Sequence, residues 1–228
     1  MDAHRNWITE RIVERCLSII VWLIIFLVCG LISGCFVPQK QFTNQHQTLS
    51  LKQNELSANG IAFITPSTAT GQEEEKQGLA LMVADILKKK RTDIRCVTLA
   101  ETLSAVNKAG LSEDYKGMYT DYRDTGLFKK DILKKVGELT GTRYVAQLKL
   151  ANFNQGNRDR FSFFGLRVIE TRKADIRLIL QIWDTTDGTI VWEGAEELSY
   201  ATDTPFSGNV PLRIMVEEVS ENLIANMP

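Results

Sequence analysis

From Ala174 to Trp183 the side chains alternate, with Ile176, Leu178, Leu180 and Ile182 set against Arg177, Ile179, Gln181 and Trp183. A period of two is the signature of a strand whose sheet has one well-buried face. Asp184-Thr185-Thr186-Asp187-Gly188 follows, and its Asp-Gly pair marks a hairpin turn into a second strand, Thr189–Leu198. Tyr144–Leu150 reads as a third strand before them.

The preceding residues follow a different rhythm. Ile61-Ala62-Phe63-Ile64 before Pro66 is a short apolar strand, and Ile94–Leu99 is another. Glu73–Lys90 reads as a helix, with Leu79, Val83, Ile86 and Leu87 on one face, acids in its first turn and lysines in its last. Ala100–Ala109, Leu127–Leu139 and Val210–Ala225 are further helices, whereas 110–126 is polar, aromatic and ambiguous. The order β-α-β-α-α-β-β-β-α predicts a single α/β (α+β) domain over 60–228. It is a two-layer sandwich in which helices cover a mixed sheet that ends in an antiparallel meander.

Upstream, Leu17 to Cys35 is an almost unbroken apolar run behind Arg5, Arg11 and Arg15. It closes on small residues and a cysteine, which are the parts of a secretory signal. A retained single-pass helix is the competing reading, because spanning a bilayer takes roughly 17–25 residues. Against it, no basic cluster follows the run, and the first lysine after it is Lys40. Ile32-Ser33-Gly34-Cys35 resembles the lipobox of bacterial lipoproteins. The resemblance implies a signal peptide over 1–34, cut before Cys35, with diacylglycerol on the Cys35 sulfur and a further acyl chain, such as palmitate, on the new amine. Several chains meet the condition for stable anchoring. Phe36 stands where an aspartate would retain a lipoprotein at the inner membrane. The resemblance therefore implies the outer membrane, periplasmic face. Residues 36–59 are rich in Gln, Asn, Ser, Thr and Lys without a sustained period, and read as a flexible tether.

The folded part also resembles a group of envelope lipoprotein domains. The group includes the curli-secretion channel lipoprotein, the lipoprotein activators of penicillin-binding proteins and the N-terminal domain of the TolB translocation protein. The matching residues are Gly60–Pro66, Leu139-Thr140-Gly141-Thr142-Arg143-Tyr144-Val145, Leu178–Thr186 and Gly188-Thr189-Ile190-Val191-Trp192. These signs are structural rather than catalytic. The chain departs from the curli channel at 110–126 and 152–173, which do not alternate cleanly over barrel-length strands.

The formal net charge of −1 argues against a nucleic-acid partner. Past the signal the chain keeps one histidine, His46 in the tether, and one cysteine besides Cys35, Cys96 in an apolar stretch. That set supports no metal site, and no nucleophile-elbow, zinc-protease or phosphate-loop motif occurs. Glu196-Glu197 and Glu217-Glu218 are sequence neighbours that read as solvated charges. The expectation is a non-enzyme with no cofactor beyond the covalent lipid on Cys35.

Two aromatic groups stand out. Tyr115, Tyr119 and Tyr122 recur at four and three, so a helix aligns them. Phe161, Phe163, Phe164 and Leu166 lie among Arg158, Arg160 and Arg167. Aromatics with arginine are enriched at interface hot spots, and both groups read either as core packing or as contact surface. The partners expected are the membrane, through the lipid, and another envelope protein or a second copy, with no small-molecule substrate identified. The function expected is a binding or scaffold domain. The alternatives are a subunit of an oligomeric secretion or transport assembly and a single-pass, inner-membrane-anchored protein.

Overall fold

The computed structural model describes residues 15, 18–26, 38–68, 73–163, 166–204 and 208–228, with the side chains of 68, 73–75 and 159–169 outside that description. The elements in chain order are α1 (18–26), β1 (Gln39–Thr48), α2 (Glu55–Asn59), β2 (Ile61–Phe63), β3 (Ser67–Thr68) and α3 (Glu73–Lys90). After them come β4 (Cys96–Val97), α4 (Leu99–Lys108), α5 (Ser112–Thr125), α6 (Lys130–Thr140), β5 (Tyr144–Phe163), β6 (Leu166–Asp184), β7 (Ile190–Thr204) and α7 (Leu212–Ala225).

The strands form one mixed sheet in the order β1-β7-β6-β5-β2-β4, with β3 also paired to β5. The pairs β2/β4 and β2/β5 are parallel, whereas β5, β6, β7 and β1 run antiparallel. Alternation sorts the side chains. Tyr144, Ala146 and Leu148 of β5 join Ile176, Leu178, Leu180 and Ile182 of β6 under α3 and α7, whose Leu79, Val83, Met215 and Val219 complete the main core. Val145 and Trp183 point the other way and meet Ala62, Ile64, Met118, Leu133 and Val136. Over the meander the domain is thus a two-layer sandwich, and at its parallel end α5 and α6 also pack the opposite face.

Local chemistry fixes several element ends. Thr98 and Glu101 form a reciprocal capping box at the start of α4, the Glu101 carboxylate accepting the Thr98 N–H at 2.7 Å. Gly126, at φ 75°, closes α5 in the left-handed region.

Three expectations are corrected. Of the expected 36–59 tether, the described residues 38–59 are folded: β1 pairs with β7 from Gln39↔Ala201 to Thr48↔Trp192, and Leu51 and Leu56 are buried in the core. All ten residues of β1 are exposed, so backbone pairing holds this strand and no apolar period announces it. The meander strands run far past their alternating stretches, β5 over 20 residues and β6 over 19. Register shifts at Leu150/Asn152 and Asp159/Phe161 break the alternation while the pairing continues to Phe163↔Leu166. Glu196 is not a solvated charge. It is 1 % exposed against α7, while Glu197 faces out. Among the described residues no helix is long and apolar enough to cross a membrane.

The β6–β7 turn is held by Asp184. Its carboxylate accepts the Thr186 N–H at 2.8 Å and the Thr186 hydroxyl at 2.6 Å, and the Arg143 guanidinium donates to it at 2.9 and 2.8 Å. Burial pushes the Asp184 carboxyl up, but these donors outweigh it and hold the carboxyl below its ordinary value. A carboxyl lowered by folding contributes stability that is whole above the unfolded pKa of about 3.9 and is lost as pH falls below it. Asp184→Asn should cost about 1–3 kcal/mol at pH 7. It should also flatten the loss of stability below about pH 4, as read by urea denaturation at successive pH values.

Gly137 of α6 lies against the sheet end, where an added Cβ would overlap the Thr185 side chain and stand 3.0 Å from the Thr142 carbonyl. Gly137→Ala should destabilise by about 1–3 kcal/mol. Gly117 of α5 has open space at the same position. There Gly117→Ala should be neutral or gain up to about 1 kcal/mol, and thermal melts of the two variants check the contrast.

Candidate binding cleft

Helical spacing on α5 places Lys116, Tyr119, Thr120 and Arg123 along one face, three and four residues apart. Across from that face the chain leaves β2 through Thr65, Pro66 and Ser67, with Lys149 of β5 and Lys76 of α3 beside them. Between the two walls lies a half-open cleft of about 760 Å³. Its place follows from topology. From β2 the chain crosses through α3 to β4 on one side and returns through α4, α5 and α6 to β5 on the other. The cleft therefore sits at the carboxyl end of β2 where strand order reverses, a position that gathers ligands in open α/β sheets.

The tyrosines tie α5 to the sheet. Tyr115 is 7 % exposed, and its hydroxyl accepts the Thr65 N–H at 3.1 Å while lying 3.2 Å from the Thr65 hydroxyl and 3.3 Å from that of Tyr119. The Tyr122 hydroxyl donates to Gln181 Oε1 at 3.1 Å, and the Gln181 amide donates in turn to the Glu193 carboxylate. Tyr122 stacks on Phe128 with centroids 4.2 Å apart, and Trp183 meets Phe128 edge-on at 5.0 Å. Burial pushes the hydroxyls of Tyr115, Tyr119 and Tyr122 above their ordinary value, Tyr119 most strongly, with Glu193 adding to the rise at Tyr122. These phenols act as neutral hydrogen-bonding groups rather than as phenolates.

The tyrosine group packs on the core. Tyr115 is in the core with Met118 and Trp183, while Tyr119 and Tyr122 pack against that core and also line the cleft. The side chains of Arg160, Phe161 and Phe163, all of Phe164, and Ile32, Ser33, Gly34 and Cys35 lie outside the described residues. His46 is exposed on β1. Cys96 is a half-buried free thiol, pushed up to about 11 by burial. Glu217 and Glu218 make surface ion pairs with Arg213 and Lys40. Burial raises the Glu196 carboxyl, whose Oε1 accepts from Asn222 at 3.3 Å. Among the described residues no group of three or more His, Cys, Asp or Glu side chains could hold a metal ion.

Sequence reasoning missed the cations of the cleft. Lys116 and Arg123 share the helical period of the tyrosines, so that signal was present on α5. Lys149 and Lys76 come from elements far away in sequence and are joined to them only by the fold.

No family model matches the chain, and no curated protein matches it. Among solved structures it is similar to the PelC dodecamer from Paraburkholderia phytofirmans, at 11 % identity and a TM-score of 0.44, over 81 % of this chain and 96 % of that one. It is similar to lipoprotein GNA1162 from Neisseria meningitidis, at 15 % identity and a TM-score of 0.37, over 74 % of this chain and 99 % of that one. It is similar also to the LpoB C-terminal domain from Salmonella enterica, at 14 % identity and a TM-score of 0.35, over 61 % of this chain and 82 % of that one. At these values the likenesses carry no argument about what this chain binds or does.

Proposed function

We propose that the chain is a non-enzymatic lipoprotein of the bacterial outer membrane, held by Cys35 on the periplasmic face, whose folded domain docks another envelope component or a second copy of itself. The observation that supports this reading is the edge strand β1. It pairs with β7 on one side, and among the described residues no strand lies on its other side. All ten of its residues are exposed; it contains no proline, and Lys40 is its one charged residue. Natural edge strands are normally blunted by charge, proline or a covering element, because an open edge templates pairing with another chain. This edge begins at Gln39, four residues past Cys35, so a lipid there holds it within about 14 Å of chain contour from the anchor.

A second reading, a subunit of an oligomeric secretion or transport assembly, is favoured by one feature. The β5–β6 hairpin continues beyond the last β6–β7 pair, Glu170↔Thr204, to Phe163↔Leu166. A projecting hairpin of this kind suits a ring in which each copy reaches its neighbour.

A photo-crosslinking residue at Gln41 or Gln45, in the full chain in native membranes, should yield an adduct with a second polypeptide. Gln45→Pro, which removes one backbone donor from the edge strand, should abolish that adduct. Recovery of lone monomer from both positions would overturn the docking reading. Size in mild detergent separates the two readings, since a ring runs at many times the monomer mass. Mass spectrometry of the mature N-terminus should find an acylated Cys35. An unmodified Cys35, or a retained 17–34 segment, would sink the lipid anchor.

A further inference from the structure

We infer that the cleft between α5 and the end of β2 binds a small ligand carrying two or more phosphate or carboxylate groups. It is a different surface from the β1 edge and does not depend on the anchor.

Charge is the first ground. Lys76, Lys116, Arg123 and Lys149 converge on the cleft from three elements, and none of its described lining residues is acidic. A solvated helix face explains cations on one helix, but not cations brought together from α3, α5 and β5 around a single concavity. Two acids of α5 are engaged away from the cleft. Asp114 pairs with Lys135 at 3.5 Å and Asp121 with Lys129 at 2.8 Å, both directed toward α6. Glu113 and Asp124 do reach cleft cations, Lys116 at 3.9 Å and Arg123 at 3.0 Å. Those pairs are open to water, with side-chain exposures of 77 % and 91 % for the first and 75 % and 59 % for the second. Such pairs contribute little and exchange readily for a better anion. Behind the tyrosines, Glu193 is engaged by Gln181.

The second ground is a buried amide behind the lining residue Ser67. Gln147 is fully buried on β5, two residues before Lys149 and on the same face. Its Nε2 donates to the hydroxyl of Ser67, a lining residue, at 2.8 Å, and its Oε1 has no hydrogen-bond partner among the described residues. A buried amide left half-satisfied is unusual in a purely structural position.

The third ground is size and shape. A volume of about 760 Å³ lies within the range of small-molecule sites, roughly 300–1,000 Å³. The hydroxyls of Tyr119 and Tyr122 are engaged within the protein. What these residues offer the cleft is ring surface, while Lys and Arg offer point and forked recognition of oxyanions. A ligand with charged ends and a sugar-sized body uses both.

Titration calorimetry of the full chain in an uncharged detergent, at 0.15 M NaCl, tests this with two probes, inorganic tripolyphosphate and trigalacturonate. One of them should bind one-to-one with a Kd below about 1 mM, and the tighter probe identifies the oxyanion as phosphate or carboxylate. Arg123→Ala with Lys149→Ala should weaken that binding about tenfold or more. Lys88→Ala with Lys89→Ala, which removes the same charge at the far end of α3, should leave it unchanged. Lys116→Gln, at a side chain open to water, gives a single-site loss of about threefold or more that does not depend on the double variant folding. Failure of both probes to bind, or equal losses in the cleft and distal variants, would overturn the assignment.

Discussion

Strand β5 is the constraint on which the rest of the domain depends. Its first residues pair parallel with β2 and antiparallel with β6, so one strand joins the parallel end of the sheet to the meander. From Tyr144 to Leu148 every residue is buried, which requires covering on both faces. Tyr144, Ala146 and Leu148 take the face of α3 and α7, and Val145 takes the face of α5 and α6. Gln147 falls on this second face at the point where apolar cover ends, and Lys149 follows it into the cleft. The transition from core to cleft is therefore set by the pleat of one strand.

The parts that were legible in the sequence are those in which apolar side chains carry the period. The alternation of Ile176, Leu178, Leu180 and Ile182 marked β6, the Asp184–Gly188 segment marked its turn, and the face of Leu79, Val83, Ile86 and Leu87 marked α3. The parts that were not legible are held by other forces. β1 is exposed along its whole length, with Phe42 its one apolar residue, and is ordered by its ladder to β7, and a ladder leaves no trace in side-chain type. The outer reach of β5 and β6 passes through register shifts, each of which turns subsequent side chains to the opposite face and erases the alternation a reader looks for. On α5 the tyrosine spacing was visible, but the cleft it faces needed Lys149, Ser67 and Lys76 to be brought across the fold.

The tyrosines of α5 are held as neutral phenols. Catalysis by a side chain needs a group whose pKa is drawn toward the working pH. Here the shifts at the tyrosines run away from neutrality, because burial raises phenols that already sit high. The Tyr115 and Tyr122 hydroxyls are tied to Thr65 and Gln181, and that of Tyr119 lies against the Tyr115 hydroxyl on the same helix. The arrangement holds α5 in place against the segment after β2 and against β6.

The β1 edge and the cleft wall lie on one row of the sheet. Lys149 pairs with Ile179, Ile179 with Ala195, and Ala195 with Gln45, so the cleft wall and the middle of β1 occupy one rung of the sheet. Three strand spacings of about 4.8 Å put them roughly 15 Å apart. A second connection runs beside that rung, from Tyr122 to Gln181 on β6 to Glu193 on β7, and Glu193 lies opposite Gln47 of β1. A ligand that drew Tyr122 toward itself would pull on Gln181 of β6 and, through it, on Glu193 of β7. Proximity alone does not make two sites coupled, since coupling requires that one of them change the states available to the other. Strand β1 is exposed throughout and is held by β7 rather than by core packing.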